Sequence, residues 1–159
     1  MNSSENTLEF VTCGPAETLE LGRKIGGAFK GGEILALTGP LGSGKTHLIK
    51  GIAAGMGLAR HEPVNSPTFV IVHEYAAVEG PSLYHIDAYR LNTSADLERL
   101  GFDEMCGPDC VVAIEWADKV RTLLTALGVI WVALDHIDRD RRRITISPVC
   151  DRLRRAVRS

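Results

Sequence analysis

Eight consecutive residues, Gly39-Pro40-Leu41-Gly42-Ser43-Gly44-Lys45-Thr46, read G-x-x-x-x-G-K-T. That pattern is the phosphate-gripping P-loop, and each residue type in it meets a separate need. The glycines let the chain turn tightly and bring backbone N–H groups up to phosphate oxygens with no Cβ in the way. Lys45 sets a compact positive charge against the outer phosphates, and Thr46 offers a hydroxyl to Mg²⁺. The cradle is therefore Gly39, Pro40, Leu41, Gly42, Ser43, Gly44, Lys45 and Thr46.

Three further segments carry residues that suit the same chemistry. Glu115 closes the apolar run Val111-Val112-Ala113-Ile114. An acid at the carboxyl end of a buried strand can reach a metal or orient an attacking water; its plainer role is to cap the next helix. Ser66-Pro67-Thr68-Phe69 follows the loop's helix, where Thr68 can sense a γ-phosphate as nucleotide switches do, or simply form a turn into a strand. In His85-Ile86-Asp87-Ala88-Tyr89-Arg90, alternation puts His85 and Asp87 on one face. Asp87 is then a second carboxylate for the metal's surroundings or for water, while His85 reads first as a satisfied core histidine. Tyr89 and Arg90 brace the site or pack.

The elements that must position these groups follow from periodicity. Ile34–Thr38 is a short apolar run suited to a strand buried on both faces, and Leu48, Ile49, Ile52, Ala53 and Met56 recur at helical spacing after the loop, with Gly55 and Gly57 as its stop. Strands are predicted at Thr7–Thr12, Phe69–Tyr75, Leu83–Asp87, Cys110–Ile114, Val129–Asp135 and Arg143–Ser147. The second and third of these can pair antiparallel across Gly80-Pro81. Helices are predicted at Glu17–Lys30, from a Thr93 or Ser94 cap to Leu100, at Ala117–Leu127 and at Cys150–Val157; Arg60–Pro67 reads as a polar loop. Strands alternating with helices predict one α/β domain over residues 1–159, a three-layer P-loop NTPase-like fold with a central, largely parallel sheet.

Bulk composition agrees: 159 residues, 45% hydrophobic and 24% charged, suit one soluble domain. No apolar run reaches the length of a membrane span, and the polar first ten residues are unlike a signal peptide, so a cytoplasmic protein with no membrane partner is expected. Cys13, Cys106, Cys110 and Cys150 form no C-x-x-C pair and read as reduced thiols. The net charge of −2 hides an asymmetry: residues 139–159 carry eight Arg against two Asp. That segment suits an acidic partner surface or nucleic acid, or, more plainly, a solvated hairpin and helix paired with the acidic body.

Taken in order and spacing, the P-loop, Ser-Pro-Thr-Phe, His-x-Asp-x-Tyr-Arg, the Asp96–Glu104 segment and the strand ending Glu115-Trp116 resemble the TsaE (YjeE) family, the ATPase component of bacterial tRNA threonylcarbamoyladenosine synthesis. The resemblance runs from about Glu17 to Glu115. It implies a small ATPase using ATP and Mg²⁺ that acts with the threonylcarbamoyl-transferase subunit and its paralogous partner subunit. Through them it supports modification of adenosine 37 in tRNA, touching tRNA indirectly, and its own turnover is weak. Carried over, the loop and Lys45 hold phosphates, Thr46 and Glu115 are the metal residues, Thr68 is the switch threonine, and Asp87 and Glu115 serve turnover. Base contacts are expected near Thr12–Thr18 and the Arg139–Arg143 turn. Pro40 stands where the family commonly has an acid.

Rival functions make distinct demands. A GTPase needs an N/T-K-x-D motif, which is missing; Asp118-Lys119 has the wrong order. A small-molecule P-loop kinase needs an acceptor pocket and an arginine-bearing lid, which the Arg139–Arg143 turn can imitate. A nucleotide-switched binding module needs ATP without essential hydrolysis.

Overall fold

The computed structural model describes residues 5–58, 62–64 and 71–159. Among the described residues eight strands form one sheet: β1 (Leu8–Cys13), β2 (Ile34–Thr38), β3 (Glu62–Val64), β4 (Ile71–Tyr75), β5 (Ser82–Asp87), β6 (Cys110–Glu115), β7 (Ile130–His136) and β8 (Arg141–Ser147). Their spatial order is β1-β8-β7-β2-β6-β5-β4-β3. The central four, β7, β2, β6 and β5, are parallel. Antiparallel pairs widen the sheet at both margins, with β8 and β1 on one side and β4 and β3 on the other. The sheet is thus α/β with a parallel heart.

Strand alternation splits the core in two. Leu35, Leu37, Val111, Ala113, Val132 and Ile144 face α1 (Pro15–Gly27), α2 (Lys45–Gly55) and α6 (Asp151–Arg158). Ala36, Ile86, Val112 and Ile114 face α3 (Ser94–Glu98), α4 (Phe102–Met105), a 3₁₀ turn at Ala117–Val120 and α5 (Arg121–Leu124). Helices on both faces make three layers.

α1 and α2 touch through their backbones. A Cβ added to Gly22 would lie 2.3 Å from the Leu48 carbonyl oxygen, and one on Gly26 2.1 Å from that of Ile52. Gly51 and Gly55 meet the Leu19 and Arg23 oxygens at 2.1 and 2.0 Å in the same way. Four-residue glycine spacing on both helices removes the side chains that would hold them apart. Gly55 is therefore a packing residue inside α2, and the helix stop is Gly57, in the left-handed region at φ 80°.

Several boundaries differ from expectation for local reasons. α1 starts at Pro15, whose fixed φ suits the first helical position. Thr93 is the α3 cap: its hydroxyl accepts from the Asp96 N–H, and the Asp96 carboxylate accepts from the Thr93 N–H. The Arg60–Pro67 stretch contains β3, an edge strand that tolerates Pro63. Ala117–Leu127 is a 3₁₀ turn and one turn of α-helix, because Trp116 enters it from the left-handed region and Val120 breaks it with extended φ. β8 begins at Arg141, two residues earlier than its hydrophobic pattern suggests, since Arg141 and Arg142 pair with Cys13 and Thr12 of β1.

No described helix is long and apolar enough to cross a membrane.

Candidate functional site

β2, β5 and β6 end side by side, and the glycine loop leaves the end of β2 to start α2. Two glycines are indispensable there. Gly39 has φ 144°, and a Cβ on it would fall 2.3 Å from the Leu134 oxygen and 2.8 Å from Ser43 Oγ. Gly44 has φ 101° and leads directly into Lys45, the first residue of α2. The result is a turn of backbone N–H groups in front of a helix N-terminus, an arrangement that favours anionic oxygens.

Lys45 curls back over this turn. Its Nζ donates to the Gly39 oxygen at 2.7 Å, the Pro40 oxygen at 3.0 Å and Ser43 Oγ at 3.4 Å. The ammonium also stands 4.1 Å from the centre of the Trp116 ring, within cation–π range. Only 5% of Lys45 is exposed. Burial pulls its pKa down, against the opposing fields of Glu115, Asp118 and Asp87.

Glu115, at the end of β6, is the acid the site is built around. Thr46 Oγ1 donates to its Oε1 at 2.9 Å, and His85 Nε2 lies 2.7 Å from its Oε2. An ionised carboxylate only accepts, so Nε2 carries the proton. Burial raises the Glu115 carboxyl pKa. The hydrogen bond and positive field of His85, the Thr46 hydroxyl and the Lys45 charge together outweigh it, leaving the carboxyl below its ordinary value. Asp87 is the register partner of Glu115 on the neighbouring strand. Its Oδ1 accepts from the Tyr89 N–H at 3.0 Å.

Trp116 follows with φ 59°, a left-handed conformation that costs a β-carbon-bearing residue about 1–3 kcal/mol. The twist lays its ring over Lys45, with Tyr89 edge-on at 5.0 Å. The sequence marked Glu115 but gave Trp116 no task; its place is set by a backbone angle that residue type does not announce.

These groups share a cavity of about 550 Å³, large enough for a nucleotide-sized ligand. Leu41 to Thr46 form its floor, with Asp87, Glu115 and Trp116 beside them. Gly14, Pro15 and Thr18 of the β1–α1 junction and Arg139, Asp140 and Arg142 of the β7–β8 hairpin form the outer wall. The two segments of that wall are joined by the Gly14 N–H donating to the Asp140 oxygen at 2.8 Å. Arg142 reaches the Gly42 oxygen at 3.4 Å, tying hairpin to loop. Both stretches expected to supply base contacts therefore reach one cavity with the loop, Asp87 and Glu115. Thr68 lies outside the described residues.

Of the Arg-rich segment, Arg141 pairs with Asp138, Arg143 with Glu9 and Arg152 with Glu33, while Arg154 donates to the Glu5 carbonyl. With Arg142 on the Gly42 oxygen, five of its eight arginines thus serve the fold. The four cysteines are free thiols.

Among the described residues no group of three His, Cys, Asp or Glu could hold a metal ion. The Thr46 hydroxyl and the Glu115 carboxylate instead offer two hard oxygen donors at one point of the cavity. That set fits Mg²⁺, which takes few protein ligands and completes its octahedron with water and substrate phosphates.

Comparison with known proteins bears on the same region. A family profile described as "Threonylcarbamoyl adenosine biosynthesis protein TsaE" matches residues 13–144. The tRNA threonylcarbamoyladenosine biosynthesis protein TsaE of Bacillus subtilis is 37% identical over 145 residues, covering 91% of this chain and 88% of its own. The protein of that name from Streptomyces coelicolor is 40% identical over 107 residues, 65% of this chain and 70% of its own. Among solved structures, Bacillus subtilis YdiB superposes with a TM-score of 0.68 at 28% identity, covering 96% of this chain and 92% of that one.

Proposed function

The chain belongs to the TsaE family of threonylcarbamoyl adenosine biosynthesis proteins, and from that membership we propose that it binds ATP with Mg²⁺ in the glycine-loop cavity and hydrolyses the γ-phosphate in support of threonylcarbamoylation of tRNA. The observation that carries this reading is the contact between Thr46 and Glu115, 69 residues apart, at the foot of a turn headed by a buried lysine.

Phosphoryl transfer leaves little covalent work to a protein, and catalysis is positioning plus electrostatics. Lys45 has its charge already in the cavity and exchanges the Gly39 and Pro40 carbonyls for phosphate oxygens. The loop N–H groups and the α2 N-terminus hold the rest of the phosphate chain. Thr46 and Glu115 would hold the metal, which when bound neutralises charge on the phosphate oxygens. Asp87, beside Glu115 and lining the cavity, orients the attacking water. The outer wall of Gly14, Pro15, Thr18, Arg139 and Arg142 receives the nucleoside. No arginine from the loop itself enters the cavity, which suits weak turnover that rises when the transferase subunit and its paralogous partner dock. tRNA is then reached through those partners.

Replacing Lys45 with Ala should abolish productive ATP binding, read by calorimetry with ATP and Mg²⁺ and by phosphate release. Parental hydrolysis by that variant would overturn the assignment. Transfer of phosphate to a metabolite in place of release to water would make the protein a kinase instead.

A further inference from the structure

His85 is almost wholly buried, at 7% exposure, in a strand that otherwise buries Leu83 and Ile86. A core histidine needs a hydrogen-bond partner, and a backbone carbonyl would serve. This one gives its Nε2 proton to Glu115, 30 residues away and 2.7 Å distant, on the carboxylate oxygen turned away from Thr46. The other side of the ring is fixed as well. His73, its register partner on β4, stacks on it with centroids 5.5 Å apart. A ring held in this way has one orientation, and it passes that orientation to the acid.

We propose that His85 is a positioning residue for the metal-binding acid, holding Glu115 with Oε1 on the Thr46 hydroxyl and out of an ion pair with Lys45. The proposal rests on the magnesium–ATP reading above and adds a residue to it. A glutamate has three side-chain torsions, and losing that freedom at the moment of binding weakens the site. A fixed donor on Oε2 removes the freedom beforehand. The alternative partner for a released carboxylate is Lys45, whose positive field also acts on Glu115. A Glu115–Lys45 pair would take the acid from the metal. Partners that orient a metal ligand are typically worth 10–100-fold in metal affinity.

The test is a Mg²⁺ titration of the binding of a non-hydrolysable ATP analogue, followed by calorimetry, with the same analogue in chelator as the metal-free arm. His85→Leu keeps the bulk and removes the donor. His85→Gln places an amide N–H near the position of Nε2, whereas His85→Asn is too short to reach Oε2. Leu and Asn should weaken Mg²⁺ about 10–100-fold while metal-free binding stays within about two-fold, and Gln should stay within about three-fold of the parent. The proposal is overturned if the Leu variant titrates like the parent, or if Gln falls as far as Leu. It is also overturned if metal-free and metal-dependent binding fall together with the thermal midpoint, as for a purely structural histidine. Should the Leu variant not fold, Gln against Asn decides: equal behaviour of the two sinks the idea. If the parent itself binds the analogue with no response to Mg²⁺, the magnesium–ATP reading fails first and His85 falls with it.

Discussion

Gly26 and Gly27 are neighbours at the end of α1, yet the structure assigns opposite signs to the same substitution. A Cβ on Gly26 would lie 2.1 Å from the Ile52 oxygen, 2.9 Å from its carbonyl carbon and 3.0 Å from its Cα. All three obstacles are backbone of α2, so no side chain can swing aside. Relief requires the helices to part by about 1 Å, enough to forfeit a quarter to a half of the dispersion between the atoms facing each other. The side chains around that contact, Ile25, Leu48, Ile49 and Ile52, are at most 1% exposed. Overpacking costs about 1–3 kcal/mol, and an unyielding obstacle puts Gly26→Ala near 3. A Cβ on Gly27 would find its nearest neighbour at 3.9 Å. Gly27→Ala therefore only restricts the unfolded chain, a gain of about 0.4–1 kcal/mol. Urea unfolding separates the two. With a slope of about 2 kcal/mol/M, Gly26→Ala moves the midpoint down by about 1.5 M and Gly27→Ala moves it up by a few tenths. Because α1 begins at the cavity wall and α2 at the loop, Gly26→Ala should also weaken nucleotide binding. Equal midpoints for the two variants would refute the backbone contact.

Two further predictions concern titration. Burial, with the fields of Asp103 and Cys110, pushes the Cys106 thiol up to about 11, so at pH 8 an alkylating agent should label exposed Cys13 and Cys150 well before Cys106, as read by mass spectrometry of digested protein. Asp96 accepts N–H bonds from Asn92 and Thr93, which hold its carboxyl below the ordinary 3.8. A pKa lowered by folding means the ionised form favours the native state, so its contribution is full above 3.8 and fades as pH falls through the lower folded value. The thermal midpoints of parent and Asp96→Asn should accordingly lie apart at pH 7 and converge on acidification; a constant gap would speak against the cap.

What the sequence disclosed was local chemistry. The glycine loop is legible because its function needs particular residues at adjacent positions. The central strands are legible because burial on both faces demands unbroken apolar runs, as in Ile34–Leu37 and Val111–Ile114. A cap at Thr93 or Ser94 was legible because a cap and its partner lie within one turn, and the structure selects Thr93. Contacts between distant segments were not. Alternation placed His85 on the same face as Asp87, but nothing in β5 names Glu115 as its acceptor. Thr12–Thr18 and Arg139–Arg143 could each be suspected of facing a ligand. Their meeting depends on the antiparallel pairing of β1 with β8, masked by a run of arginines in place of the usual alternation. Gly22, Gly26, Gly51 and Gly55 carried a four-residue spacing in plain view, but glycine at a helix end reads as a stop until the second helix is seen against it.

The two sides of the cavity differ in how deeply they are rooted. The loop springs from β2, with hydrogen-bonded neighbours on both flanks, whereas Gly14 and Pro15 hang from β1, which among the described residues is an outermost strand paired on one flank. Edge segments open at lower free energy than central ones, so backbone amides of β1 should exchange with deuterated solvent long before those of β2. The pocket would breathe on its rim while its base stays shut, letting a bulky guest enter or leave without disturbing the grip beneath.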